Sequence, residues 1–144
     1  MAGPQFFTPQ KRPAPSQPVR KFTVEQANRS IPLVKRIVSD IVAAHERATK
    51  QQLKLGKGKG GEQKGAQAEL DSTVDRLQDL VDELSDIGCE LKDYQTGLID
   101  FVGRHEGRDV YLCWKLGEEK ITHWHELDGG YAGRKPVSQL HEQD

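Results

Sequence analysis

The sequence predicts an α+β fold, a long antiparallel helical hairpin followed by a three-stranded antiparallel β-meander. Two changes of pattern along the chain predict this order. Apolar residues recur every three or four positions through the first half, which is typical of amphipathic helices, and a glycine- and lysine-rich stretch interrupts them. After Tyr94 the apolar residues alternate with polar ones, which is typical of half-buried strands.

The composition indicates one small domain. The chain has 144 residues, of which 35% are hydrophobic and 30% charged, so its core is small or is completed by a partner chain. The sequence has neither a long apolar run nor a secretory signal, and its two cysteines are too few for a disulfide framework. We therefore expect a cytoplasmic protein with no membrane partner.

The chain is predicted to have one folded region between two loose ends. Residues 1–21 are rich in proline and basic side chains and contain no acidic residue, which is typical of a disordered leader. Residues 22–136 form the single α+β domain, and residues 137–144 are expected to be a frayed tail.

The helical hairpin is predicted over residues 23–95, with its tip at residues 54–64. Thr23 and Gln26 have the spacing of a capping box, which marks the start of the first helix. Each helix has one heptad-like apolar stripe suited to packing in a coiled-coil manner. The first stripe comprises Ala27, Ile31, Val34, Val38, Ile41, His45 and Ala48, and the second comprises Leu70, Val74, Leu77, Val81, Leu84, Gly88 and Leu91.

The β-meander is predicted over residues 97–126, with short loops between its strands. We assume that Gly103 pairs with Arg108 and that Lys115 pairs with Lys120, and the second pairing places Cys113 opposite Thr122. With that register, His123 and His125 share the core face of the sheet with neighbours such as Leu112. Asp100, Tyr111, Cys113 and Trp124 then lie on the opposite face.

Several uncommon residues occur in the order that a known family shows. They include Gly97-Leu-Ile-Asp-Phe101, Val110-Tyr-Leu-Cys-Trp-Lys115 and Trp124-His-Glu126. The chain resembles, over roughly residues 22–136, the small bacterial proteins grouped as domain of unknown function 2203. This resemblance implies no activity, cofactor or catalytic residue.

The histidine pair is the candidate metal site. Histidines at positions i and i+2 of a strand point to the same side, so His123 and His125 can present two imidazoles to one divalent transition metal. The third ligand is predicted to be a carboxylate at the helix ends nearest the sheet. Glu90 is the named candidate, and Asp93 and Glu25 are also within reach. If no metal binds, the two rings are half-buried sheet residues that bond to acidic side chains of the helix.

The other sheet face is the candidate interface. Asp100, Tyr111, Cys113 and Trp124 combine apolar area with one carboxylate, which suits a protein partner, most simply a second copy of the chain. The alternative is that residues 127–136 cover this face within one chain. No nucleophile–base pair is predicted, because Cys113 and the histidines are assigned to opposite faces.

Three functions follow from these patterns. The leading hypothesis is a non-enzymatic, homo-oligomeric interaction or scaffold protein. The first alternative is a metal-binding protein or metalloenzyme that uses His123 and His125. The second is nonspecific nucleic-acid binding through the basic leader and hairpin tip, which the absence of interleaved aromatic residues disfavours.

Overall fold

The computed structural model describes residues 20–56 and 61–142. Residues 1–19 of the predicted leader, residues 57–60 of the predicted tip and the last two residues of the predicted tail lie outside this range. No helix among the described residues is sufficiently long and apolar to cross a membrane.

Two long helices form the predicted hairpin. Helix α1 spans Val24–Leu55 and helix α2 spans Gly61–Ile87. The capping box is confirmed, since the Gln26 backbone N–H donates to the Thr23 hydroxyl and the Thr23 N–H donates to the Gln26 side chain. All seven residues of the first predicted stripe are buried, so the 3.6-residue period correctly identified the packed face of α1.

The second helix ends earlier than the predicted hairpin boundary at residue 95. Gly88 has φ of +116°, a left-handed conformation that terminates α2 after Ile87. A Cβ atom at Gly88 would also lie 3.0 Å from the Phe22 ring. The segment that continues the apparent stripe to Leu91 is therefore extended, and Cys89–Asp93 forms the first strand.

Within the described ranges the sheet has five antiparallel strands in sequential order, where three were predicted. They are β1 (Cys89–Asp93), β2 (Leu98–His105), β3 (Arg108–Lys115), β4 (His123–Glu126) and β5 (Lys135–Pro136). The predicted meander corresponds to β2, β3 and β4. The two strands that were not predicted, β1 and β5, are the edges of the sheet. The apolar residues of β1 continue the spacing of the second helical stripe, and β5 is too short to show an alternating pattern.

The register between β3 and β4 differs by one residue from the predicted one. Cys113 pairs with His123, and Leu112 pairs with Trp124. Successive side chains of a strand point to opposite faces, so this shift exchanges the two faces of β4. Trp124 therefore joins the core that the sheet shares with the helices, and the assignment of His123 and His125 to that side was wrong.

We name the two sides of the sheet by what they face. The helix face contains Phe101, Leu112 and Trp124, which belong to the main hydrophobic core together with residues of both helices. The outer face contains Asp100, Tyr111, Cys113, His123 and His125. The pairing between β2 and β3 also departs from the prediction, but by two residues, so the faces of those strands are as predicted.

The tail predicted to be frayed is hydrogen-bonded through Glu142. The Glu106 backbone N–H donates to the His141 carbonyl at 2.8 Å, and the His141 N–H donates to Nδ1 of His105 at 3.0 Å. The Glu142 carboxylate accepts from the Val24 N–H at the start of α1, at 2.7 Å. Polar backbone groups therefore anchor a segment that hydrophobic periodicity does not mark.

Substitution of Gly97 can show how tightly the sheet packs against α1. It has φ of +72°, and a Cβ atom there would lie 2.8 Å from a Val38 methyl group and 2.9 Å from Leu116. Gly107 has a similar φ of +83° with no atom within 4 Å of that position. Both Gly97→Ala and Gly107→Ala strain the backbone, whereas only the first adds a clash. We expect Gly97→Ala to lower the free energy of unfolding by about 1–3 kcal/mol more than Gly107→Ala.

Urea unfolding of both variants, followed by circular dichroism, measures this difference. Equal destabilisation would show that the contact between Gly97 and α1 is looser than the structure indicates.

Candidate metal centre

The strand register places four polar residues in one row across the outer face. Glu90 pairs with Asp100, Asp100 pairs with Cys113, and Cys113 pairs with His123. His125 lies on the same face two positions along β4. The one-residue shift therefore brings both histidines to the side of the sheet that already contains Asp100 and Cys113.

Three of these side chains form a buried cluster. Donor atoms of Asp100, Cys113 and His125 all lie within 4.8 Å of one another. The three residues are only 3%, 1% and 3% exposed. Nε2 of His125 is 3.2 Å from each carboxylate oxygen of Asp100. Carboxylate, sulfur and imidazole donors thus converge on one point in the interior.

The hydrogen bonds of His125 define its protonation. Nδ1 lies 2.8 Å from the backbone carbonyl oxygen of Glu126, and a carbonyl can only accept, so Nδ1 carries a hydrogen. Nε2 faces the Asp100 carboxylate. A hydrogen bond there requires a proton on either the imidazole or the carboxyl group. Burial raises the pKa of Asp100, and the contact with His125 opposes that rise only in part.

Cys113 is a protonated thiol in this environment. Burial, followed by the nearby Asp100 charge, raises its pKa to about 12, although the Arg134 guanidinium acts in the opposite direction. A thiol of this kind is a poor nucleophile at neutral pH. The proximity of Cys113 to His125 therefore does not make a catalytic pair.

The predicted ligands separate into one that joins the cluster and two that lie beside it. His125 is in the cluster. Nδ1 of His123 lies 2.8 Å from the Thr122 hydroxyl, and the Glu90 carboxylate accepts from the Lys92 ammonium at 3.1 Å. Glu90 is carried by β1 and not by a helix, because α2 ends before it.

Sequence reasoning assigned the other two cluster members, Asp100 and Cys113, to an interface. Both residues were already placed on a common face. The correct pairing of β3 with β4 would have brought His125 to that face and so identified them as members of the cluster. Of the four predicted interface residues, Asp100, Cys113 and Trp124 are buried within the single chain, and Tyr111 is half-buried. The ammonium of Lys92 lies 4.5 Å from the centre of the Tyr111 ring.

A short segment of the chain reaches the outer face from beyond β4. Its Arg134 side chain lies 3.4 Å from a carboxylate oxygen of Glu118, and its charge lowers the pKa of the Cys113 thiol, against the effect of burial. The same guanidinium is 4.1 Å from the centre of the Tyr131 ring. Residues 127–136 thus contribute a cation to the surroundings of the cluster.

The family model described as "Uncharacterized conserved protein (DUF2203)" matches residues 20–137, which is well over half of the chain. The chain belongs to the DUF2203 family. No curated protein matches it, and no solved structure matches it. The matched range of this DUF2203 protein includes both helices, all five strands and every residue of the buried cluster.

The thiol chemistry of this DUF2203 protein can be tested directly. Cys89 and Cys113 are both buried, and burial raises the pKa of each thiol to about 12. We expect neither to react with Ellman's reagent at pH 8 in the folded, chelator-treated protein, and both to react after unfolding in guanidinium chloride.

Cys113→Ser and Cys89→Ser assign any signal to one sulfur. Rapid labelling of folded protein that disappears only in Cys113→Ser would identify Cys113 as an accessible thiolate and reopen its role as a nucleophile.

Proposed function

We propose that this DUF2203 protein binds a divalent transition metal, with Zn²⁺ as the preferred ion, through Asp100, Cys113 and His125. The observation that supports the proposal is the convergence of these three buried donors. The predicted metal function is kept, but its ligand set is revised. His125 remains, and Asp100 and Cys113 replace His123 and Glu90.

The types of donor favour zinc over other common ions. Thiolate and imidazole are ligands that Zn²⁺ accepts readily together with a carboxylate. Ca²⁺ and Mg²⁺ require six or more ligands, mostly oxygens, and the cluster offers one carboxylate. A mixed sulfur, nitrogen and oxygen set is therefore matched to a borderline-soft ion.

The spacing of the donors is close to what such an ion needs. Ligand distances of about 2.0–2.3 Å in a tetrahedral site place the donors roughly 3.3–3.8 Å apart. The imidazole and carboxylate already lie 3.2 Å apart, and no pair of donors exceeds 4.8 Å. Side-chain movements of about 1 Å would complete the three-ligand set, which is within the reach of small χ changes.

The second ring nitrogen of His125 supports the same assignment. Metal-binding histidines usually donate their other N–H to a carbonyl or carboxylate, which fixes the tautomer and the orientation of the ring. Nδ1 of His125 is held in this way by the Glu126 carbonyl, so Nε2 faces the cluster.

Charge balance also supports the proposal. A bound Zn²⁺ would displace the proton shared by His125 and Asp100 together with the thiol proton of Cys113. The carboxylate, the thiolate and the divalent ion then sum to zero charge within a buried site. Because the ligands come from β2, β3 and β4, the ion would link three strands, and this enclosure favours a structural or metal-sensing role over turnover of a substrate.

Self-association and nucleic-acid binding remain separate hypotheses with less support. The scaffold hypothesis depended on apolar periodicity beyond what a small core needs and on a sheet face free for a partner. Three of the four residues named for that face are buried in one chain. The nucleic-acid hypothesis depended on residues of which 1–19 and 57–60 lie outside the described ranges. A solution mass by light scattering and a low-salt binding assay would test these two hypotheses independently of metal.

The decisive experiment is titration of the reduced, metal-free chain with Co²⁺ and Zn²⁺. We expect one equivalent of Co²⁺ to bind with a near-ultraviolet band from sulfur-to-metal charge transfer, and Zn²⁺ to displace it. Loss of an outer partner of a metal ligand already costs about 10–100-fold in affinity, so Cys113→Ser, which loses a ligand itself, should cost at least about 100-fold. Asp100→Asn and His125→Gln should have effects of similar size.

His123→Gln and Glu90→Gln are matched controls on the same face. We expect each to change the affinity less than about 3-fold, since neither residue belongs to the cluster. Circular dichroism must show that every variant is folded. Binding that survives Cys113→Ser, or that His123→Gln abolishes, would contradict the proposed ligand set.

A further inference from the structure

Three hydrogen bonds hold residues 141–142, which we call the latch, against the rest of the fold. The Glu106 backbone N–H donates to the His141 carbonyl at 2.8 Å. The His141 N–H donates to Nδ1 of His105 at 3.0 Å. The Glu142 carboxylate accepts from the Val24 N–H at 2.7 Å, in the first turn of α1. All three bonds belong to two consecutive residues, so the loss of one displaces the groups that make the others.

The bond to His105 defines the protonation of its ring. A backbone N–H can only donate, so Nδ1 of His105 carries no hydrogen, and the neutral ring has its hydrogen on Nε2. Nε2 lies 3.7 Å from a carboxylate oxygen of Glu106. The ring is 7% exposed, and its centre lies 4.4 Å from that of the Trp124 ring. The latch therefore closes over one tautomer of a neutral, buried imidazole.

We propose that His105 is a pH-sensitive switch, whose neutral ring holds the latch at the start of α1 and whose protonation releases it. The inference does not depend on the proposed metal function. His105 belongs neither to the buried cluster nor to the residues predicted as metal ligands.

A clash between two donors is the physical basis of the release. An imidazolium ring carries a hydrogen on both nitrogens, so protonated Nδ1 would point its N–H at the N–H of His141. The attractive contact becomes a repulsive one. A charged ring that is almost fully buried also lacks water, and departure of the latch would restore it. The closed latch therefore requires the neutral ring, and closure is lost as the pH falls.

The charges around the ring do not change the direction of this effect. Titratable and charged groups come from every element that surrounds His105, namely Glu106, Arg108, Glu126, Lys135, His141 and Glu142. The Glu106 carboxylate favours the imidazolium, whereas Arg108 contacts that carboxylate and opposes it. Carboxylates, guanidinium and ammonium groups keep their charges over most of the range from pH 8 to pH 5, whereas histidines change theirs.

Release changes the end of the molecule where α1 begins. The Val24 N–H lies at the positive end of the helix dipole, and the Glu142 carboxylate occupies it when the latch is closed. Leu140, immediately before the latch, packs against the main hydrophobic core and donates its N–H to the Val137 carbonyl. Acid is therefore expected to uncover the start of α1 without loosening the chain before residue 141.

Backbone order parameters from ¹⁵N relaxation measure the latch in the full, chelator-treated chain. We expect the values for His141 and Glu142 to fall from about 0.85 at pH 8 to below about 0.6 at pH 5. The value for Leu140 should stay the same. A long-range ¹H–¹⁵N spectrum of the imidazoles should show hydrogen only on Nε2 of His105 at pH 8.

Two substitutions of His105 fix the switch in opposite states. His105→Asn places an amide oxygen where Nδ1 lies, and this oxygen accepts at either pH, so the latch should stay ordered at pH 5. His105→Phe keeps an aromatic ring beside Trp124 but has no acceptor, so the latch should be mobile already at pH 8. Circular dichroism must show that both variants are folded.

His141→Gln and Glu142→Gln are the matched controls within the latch. The His141 ring is exposed, and its centre lies 5.6 Å from that of His105, but the backbone of His141 makes the bonds. The amide oxygen of Gln at position 142 can still accept from Val24. We expect both variants to switch over the same pH range as the unmodified chain.

The outcomes identify the group responsible. A latch that is equally ordered at pH 8 and pH 5, or that opens at pH 5 in His105→Asn, would refute the proposal. Loss of the transition in His141→Gln or Glu142→Gln would also refute it, because the switch would then be that side chain. If neither His105 variant folds, the unmodified chain decides, since protonation of His105 and release of the latch must follow the same pH curve.

Discussion

The burial of Trp124 against Leu112 determines the register between β3 and β4, and the outer face of the sheet depends on it. Removal of an indole side chain from water buries roughly 150–250 Å², worth about 4–6 kcal/mol at ~25 cal/mol per Å². A slip of one residue would expose that area and place two imidazoles against an apolar core. The Pro136 carbonyl satisfies the indole N–H, so the favoured register has no compensating polar cost.

Local sequence patterns predicted well which residues lie together on one face of a helix or strand. They predicted less well whether that face of a strand points to the helices or away from them. The stripe on α1 and the positions of β2, β3 and β4 could be read from periodicity, because each is long and regular. In the stretch His123-Trp124-His125-Glu126 the same alternation fits either orientation, and the length of the preceding loop decides between them. Leu91 falls at helical spacing after Leu84 and Gly88, so β1 was concealed by a stripe that Gly88 interrupts.

The candidate site also combines features visible within one strand with contacts that depend on how distant strands pair. Two histidines at i and i+2 are visible within a single strand, and His125 was found in that way. Its partner Asp100 is 25 residues earlier, and their contact exists only when β4 pairs with β3 in the observed register. Asp100 and Cys113 were placed together on the outer face from the start. What the sequence could not provide was the one-residue offset that brings the histidines to them.

The low hydrophobic content of the chain makes the buried polar cluster costly for the stability of the fold. A chain with only 35% hydrophobic residues forms a small core, which has little surplus stability with which to offset a carboxyl group, an imidazole and a thiol in its interior. In the metal-free site Asp100 and His125 bond to each other, and Nδ1 of His125 bonds to the Glu126 carbonyl. A divalent ion would replace the contact between Asp100 and His125 with bonds from the ion to all three donors. The same residues that weaken the metal-free sheet would then link three of its strands, so stability and ligand binding would be properties of one cluster.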